Sequence, residues 1–317
     1  MAYDANRKVG VLFGGTVFER DWTLSDATWT WNGSAWSKVE GTGPPPMSHC
    51  FMAPDPKGNG VLLFGGRGAN GASDQTWAFT AAGWAELQPT HRPSPRSSVT
   101  GALHAASARV VIFGGSETSG RALADTWIWD GTDWQQVNTP KGPPPRTNGA
   151  ACYDPIRKQV ALFGGWTKAG SLTDTWIWNG ETWAAADAAY HPPMMSNSAM
   201  VFDAASGTAM FVGSSTDGQY TNWSWNGEKW NRLPRSLAPR ITTRFAMTEM
   251  GPDQQAVLFA GCDELAASTS AQPLGITQAT EILATPGVRL VAPLPAGFEL
   301  DTLYTAAVLS RSAQPTL

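Results

Sequence analysis

Asp174-Thr-Trp-Ile-Trp-Asn-Gly-Glu-Thr-Trp183 is the stretch whose reading decides the fold. Its tryptophans follow the pattern W-x-[W/F]-x4-W, which returns at Trp29/Trp31/Trp36, Trp77/Phe79/Trp84, Trp127/Trp129/Trp134 and Trp223/Trp225/Trp230. Steps of 47 to 50 residues separate the copies. A fixed period of that size marks a repeat architecture, in which each unit is one supersecondary element and neighbours share a core. Fourteen of the sixteen tryptophans belong to the repeat, which leaves Trp22 and Trp166 to explain.

Outward from the tryptophans, each copy is preceded by an apolar run closed by glycine. These runs are Leu12-Phe-Gly-Gly15, Leu63-Phe-Gly-Gly66, Ile112-Phe-Gly-Gly115 and Leu162-Phe-Gly-Gly165, then the weaker Met210-Phe-Val-Gly213 and Leu258-Phe-Ala-Gly261. Six units follow from them. Within a unit, Pro-Arg leads into a strand ending in Tyr-Asp, then the Gly-Gly strand, Asp-Thr-Trp-x-Trp, an Asn-Gly or Asp-Gly turn and a last Trp. Asn32-Gly33, Asp130-Gly131, Asn179-Gly180 and Asn226-Gly227 predict type I′ hairpins, whose two central residues need positive φ. The expected fold class is all-β, a six-bladed β-propeller of four-stranded antiparallel blades. One domain spans 1–317, with blades near 1–43, 44–92, 93–142, 143–191, 192–236 and 237–297.

The pattern resembles the kelch family over about residues 1 to 290: the double glycine closing the second strand, Asp-Thr-Trp in the third, the later Trp and the period carry the likeness. That family hosts oxidases, epimerases, specifier proteins and interaction modules, so the resemblance implies a fold and leaves the activity open. Met1-Ala-Tyr-Asp4 matches only the end of the first strand seen in Thr147–Asp154, and Leu303–Ser310 aligns with that same strand. Residues 298–317 are therefore expected to close the ring as the inner strand of blade 1, removing open sheet edges.

Hydrophobic residues make up 42% of the chain, with 33 Gly and 23 Pro, a balance suited to many short strands joined by turns. A net charge of −4 with dispersed basic residues gives no footprint for nucleic acid. No apolar run is long enough to cross a membrane, and the first residues lack the pattern of a signal peptide, so a cytoplasmic protein is expected. The four histidines show no metal-ligand spacing, and no phosphate loop or G-x-S-x-G is present, so neither metal nor cofactor is expected.

Functional side chains are expected on the loops. The kelch resemblance implies that the loop after the double glycine and the loop into each first strand share the face around the channel mouth. Residues two after each Pro-Arg position are His49, Ser98, Asn148, Asn197 and Thr242, with Arg244 close behind and Tyr304 from the closing strand; they would form a polar ring. Trp22 and Trp166 follow the double glycine in opposed units, and Met47 and Met195 replace the arginine in another opposed pair. Together they would give an aromatic and thioether-lined opening suited to a small molecule. Packing of Trp22 and Trp166 on their own blades is the alternative. Cys262 opens the longest loop of its class, a candidate lid. Glu19 and Asp21 offer carboxylates for acid/base work, or a surface ion pair.

The favoured expectation is a small-molecule-binding propeller, a cofactor-independent lyase, isomerase or cyclase in which His49, Glu19, Asp21 and Tyr304 act as acid or base. The rival is a protein-interaction module presenting exposed tryptophans on the same face. Deleting residues 298–317 is expected to unfold or aggregate the protein; size-exclusion chromatography and a thermal melt check this, and a soluble, equally stable truncation would oppose it.

Overall fold

The computed structural model describes residues 1–18, 22–193, 195–215, 220–233, 245–250, 255–260, 288–293 and 305–309. Five blades of four antiparallel strands follow one another, each running from its inner to its outer strand in chain order. Blade 1 is Ala2–Asp4, Val9–Phe13, Thr28–Trp31 and Trp36–Val39; blade 2 is Phe51–Pro54, Val61–Phe64, Thr76–Thr80 and Gly83–Leu87. Blade 3 is Thr100–His104, Arg109–Phe113, Thr126–Trp129 and Trp134–Val137; blade 4 is Ala150–Asp154, Gln159–Thr167, Gly170–Trp178 and Trp183–Ala186. Blade 5 is Met195–Asp203, Thr208–Ser215, Tyr220–Trp225 and Trp230–Arg232. The first strands of successive blades lie against one another, so the sheets are arranged around a common axis.

The repeated tryptophans fill the wedge between sheets. In blades 2 to 5 the last Trp packs on the Phe of the glycine-closed strand in the blade before it. Ring centroids are 5.5 Å apart for Phe13 and Trp84, 4.8 Å for Phe64 and Trp134, and 5.7 Å for Phe113 and Trp183. The same indoles stack at a tilt on the second Trp of their own blade, as Trp129 does on Trp134 at 5.3 Å. Offset and tilted rings of this kind add to the area they bury. Each indole N–H then crosses to the preceding blade and donates to a buried threonine: Trp84 to Thr28, Trp134 to Thr76, Trp183 to Thr126 and Trp230 to Thr175, at 2.8 to 3.0 Å. The threonine of Asp-Thr-Trp is thus an acceptor for the next blade.

Three expectations change. The Asn-Gly turns are not type I′: Gly33, Gly131, Gly180 and Gly227 have positive φ, but the Asn or Asp before them does not. Trp31 pairs with Trp36, which makes the loop four residues long, and Asn32 Oδ1 accepts the backbone N–H groups of Ser34 and Ala35. The side chain stands in for a backbone carbonyl and shapes the turn. In blade 5 the apolar run sits one residue off the expected alignment. Phe211 faces Trp223, whereas Phe13 and Phe163 face Thr28 and Thr175, so Gly213 takes the place of the first glycine.

The third change concerns the C-terminal strand. Thr305–Leu309 pairs with Gln255–Ala260 and Val288–Pro293 in a sixth four-stranded sheet, ordered Phe245–Met250, Gln255–Ala260, Thr305–Leu309, Val288–Pro293. It does not join blade 1. Ala2–Asp4 already holds the inner position there, paired Ala2 to Val11 and Asp4 to Val9. Removal of residues 298–317 therefore takes away a central strand of the sixth sheet.

Thr126→Val keeps the shape of the side chain and deletes the acceptor of the buried Trp183 N–H. Its expected cost is about 1–3 kcal/mol, read by urea denaturation. Thr30→Val, at a less buried site of blade 1, is expected to change stability by under about 0.5 kcal/mol.

Candidate functional site

The mouth of the propeller is built from backbone before any side chain enters it. After each double glycine the chain turns back beside the segment leading into the next blade. Gly15 N–H donates to Met47 O, Gly66 N–H to Arg96 O and Gly115 N–H to Arg146 O, at 2.8 to 3.0 Å. A Cβ on Gly65 or Gly114 would stand 2.5 or 2.6 Å from the carbonyl oxygen of Arg96 or Arg146, and Gly14 is as tightly placed against Met47. Positive φ at these glycines adds a second reason for their identity.

In blades 2 to 4 the residue after the double glycine forms a two-way backbone bridge with the segment before the first strand: Arg67 with Ser48, Ser116 with Ser97 and Trp166 with Thr147. The following residues, His49, Ser98 and Asn148, adopt left-handed backbone with φ of 56°, 57° and 53°. Such a conformation costs about 1–3 kcal/mol for a residue with a side chain and persists where its surroundings over-determine it. Here the reason is visible. Ser98 N–H donates to His49 O and Asn148 N–H donates to Ser98 O, both at 3.0 Å, so the three residues are joined from blade to blade. The expected polar ring is a hydrogen-bonded backbone girdle over these blades, with His49 and Asn148 exposed and Ser98 half-buried.

Arginine at the Pro-Arg position holds the blade together beneath the mouth. Arg96 is buried and uses all five donors: Nε to Ser94 O, Nη1 to Gly114 O, Nη2 to Ser94 Oγ and a fork onto Asp125 at 2.6 and 2.9 Å. Trp127 Nε1 donates to the same carboxylate at 2.7 Å. Arg146, Asp174 and Trp176 repeat the arrangement in blade 4. Burial works to raise the Asp125 and Asp174 carboxyls, but the hydrogen bonds and charge of their arginines, with the indole N–H, outweigh it and hold both below the ordinary carboxylate range.

The expected site residues separate accordingly. Met47 does not line the opening: it is 1% exposed and packs in the core with Phe13 and Leu63, because an apolar side chain here turns under its blade as the arginines do. Trp22 and Trp166 are not equivalent. Trp166 is half-buried at the first position after the double glycine, where blade 1 has Thr16; Trp22 is 53% exposed on the return strand of the hairpin Thr16–Phe18 and Trp22–Leu24. Met195 opens the first strand of blade 5, and Asn197 stands at a bulge in it between Ser196 and Ser198. Glu19, Asp21, Thr242, Arg244, Cys262 and Tyr304 lie outside the described residues.

Arg67 was missed, although it follows its double glycine at the same offset as Trp166. His49 Nδ1 lies 3.0 Å from Ser48 Oγ, which places an imidazole and a hydroxyl beside that arginine's bridge. Burial pushes the Cys50 thiol up to about 12, which disfavours its thiolate. Among the described residues no group of three or more His, Cys, Asp or Glu side chains could hold a metal ion, and no helix is long and apolar enough to cross a membrane.

A propeller of four-stranded antiparallel blades with a loop-built mouth is the class that this geometry defines. The KLHDC2/KLHL20/DRC7 Kelch-repeats domain matches residues 80–261, more than half of the chain, and the protein belongs to the kelch-repeat β-propeller family. A comparison with curated proteins returned no match.

Blade 2 carries Met47 and Gln75 where blade 3 carries Arg96 and Asp125. Arg96→Met alone is expected to cost about 3–5 kcal/mol, since it strands a partly buried carboxylate; Arg96→Met with Asp125→Gln should cost clearly less. Because Asp125 is held below its ordinary range in the fold, its contribution is complete above that range and lost as pH falls through the folded value. Urea titrations across acidic pH should therefore show a flatter acid limb for the double variant.

Proposed function

We propose that the chain is a six-bladed propeller that binds a small molecule at its channel mouth. The sixth sheet supports the blade count, since Phe245–Met250 lies against the first strands of both blade 5 and blade 1, where a closing blade would stand. The hydrogen-bonded girdle carries the ligand reading. Residues joined by N–H···O=C bonds stand about 5 Å apart at Cα, so two such steps around a ring put His49 about 9 Å from Asn148. Continued through six blades, such steps would form a hexagon about 10 Å across between opposite Cα atoms, an aperture that side chains narrow further. An opening of that size suits a small molecule or one extended segment rather than a folded partner.

The side chains at the mouth differ from blade to blade, with His49, Ser98 and Asn148 on the girdle and Arg67, Ser116 and Trp166 across the bridges. Convergent polar groups with one aromatic face are what orient a small ligand. The catalytic form of this reading is a metal-independent lyase, isomerase or cyclase, with His49 as acid or base. A protein partner on the same face is supported by one observation, the exposure of Trp22 on its hairpin.

Native mass spectrometry of gently purified protein is expected to show a small-molecule adduct that Trp166→Ala loses, with Tm changed by no more than about 2 °C. A bare mass, together with a protein partner released by Trp22→Ala, would favour the interaction reading instead.

A further inference from the structure

At one structural position, three consecutive blades offer three chemistries. In blade 2 Arg67 faces Ser48 across a bridge with backbone bonds of 2.7 and 3.0 Å, and the His49 ring sits 3.0 Å from the Ser48 hydroxyl. Blade 3 has only hydroxyls there, Ser116, Ser97 and Ser98, while blade 4 has Trp166, Thr147 and Asn148. Residues directly opposed in an antiparallel bridge carry their side chains to the same side, about 5 Å apart. Arg67, Ser48 and His49 therefore form one donor-rich group at one end of the arc, with an aromatic side chain at the other.

Arg67, Arg92 and Arg109 form no ion pair with a carboxylate among the described residues of blades 1 to 4, and of the three only Arg67 stands at a bridge of the mouth. Arg7, Arg96, Arg121, Arg146 and Arg157 each pair with an Asp or Glu. Arg67 is exposed and meets no carboxylate among the described residues. Glu117, on the neighbouring loop, is already held by Arg121 at 2.5 Å. The blade-2 end of the arc thus has a net donor and cationic character, and a guanidinium fork is matched to a carboxylate.

We propose that the ligand of this mouth is a small planar carboxylate, an aromatic or conjugated acid. Its carboxylate is held by Arg67 with Ser48 and His49, and its ring lies against Trp166. The proposal rests on the small-molecule reading of the mouth and adds to it a charge, a shape and an orientation. The span of about 9 Å from His49 to Asn148 fits one ring and a short conjugated arm, and the hydroxyls of blade 3 lie between the two ends.

Isothermal titration with trans-cinnamate and its neutral counterpart cinnamamide tests this. Cinnamate is expected to bind about tenfold tighter or more, the usual worth of a charge-assisted contact. Arg67→Gln should bring cinnamate down to the level of the amide and leave the amide unchanged; Trp166→Ala should weaken both, and Lys38→Gln neither. Equal binding of the two probes, with both dependent on Trp166, overturns the anionic class while the small-molecule mouth stands. No binding of either probe at millimolar concentration, or a preference that survives Arg67→Gln, overturns the proposal outright. Native mass spectrometry of the purified protein then decides separately whether the mouth holds a different kind of small molecule.

Discussion

The constraint on which the rest of the structure depends is the close approach of two backbones at the double glycine. There the second glycine's N–H reaches the carbonyl of the next blade, and the first glycine has no room for a Cβ. Blade-to-blade spacing is set by this contact on the upper side and by the tryptophan wedge between the sheets. The two act together, because the Phe beside the glycines is the surface on which the next blade's last Trp rests. Each unit is therefore positioned by its neighbour, as expected for a repeat that cannot bury its apolar face alone.

Once the backbone frame is in place, the residues on it are released from fold duty to different degrees. The Pro-Arg arginine is tied down, since its guanidinium satisfies a carboxylate, a carbonyl and the start of its own loop at once. Where arginine is absent, the matching acid is absent too, as with Met47 and Gln75 in blade 2 and Met195 and Thr221 in blade 5. Leaving a buried or half-buried carboxylate without its partner is costly, so the two changes come as a pair. The residue two positions further on has no such duty. Its left-handed backbone is held by the girdle, which leaves its side chain free to be imidazole, hydroxyl or amide.

Much of the fold was legible because bulky residues mark it. The Trp spacing and the glycine pairs predict blades, their order and the sharing of a core, and the fourteen repeat tryptophans do serve the sheets. What the residues concealed lies in backbone conformation. Left-handed φ at Ser98 has no side-chain signature, although His49 and Asn148 are residue types that adopt it more readily than most. Asn32 and Asp130 look like hairpin corners, yet they act through their side chains. The placement of Thr305–Leu309 was misread because an alternating apolar strand suits an inner or a third position alike, and only the occupancy of blade 1 by Ala2–Asp4 distinguishes them. At the mouth, Trp166 stood out as a departure from the repeat. Arg67 did not, because one arginine in a loop has many explanations until the bridge to Ser48 is seen.

Amide hydrogen exchange, resolved by residue, tests the central claim that backbone links between blades make the mouth a rigid frame. The account predicts that the N–H groups of Gly66, Gly115, Ser98 and Asn148, all in loops, exchange only with an opening free energy close to that of the buried strands. Exchange of these four amides at the rate of freely opening loops, while the strands stay protected, would contradict it.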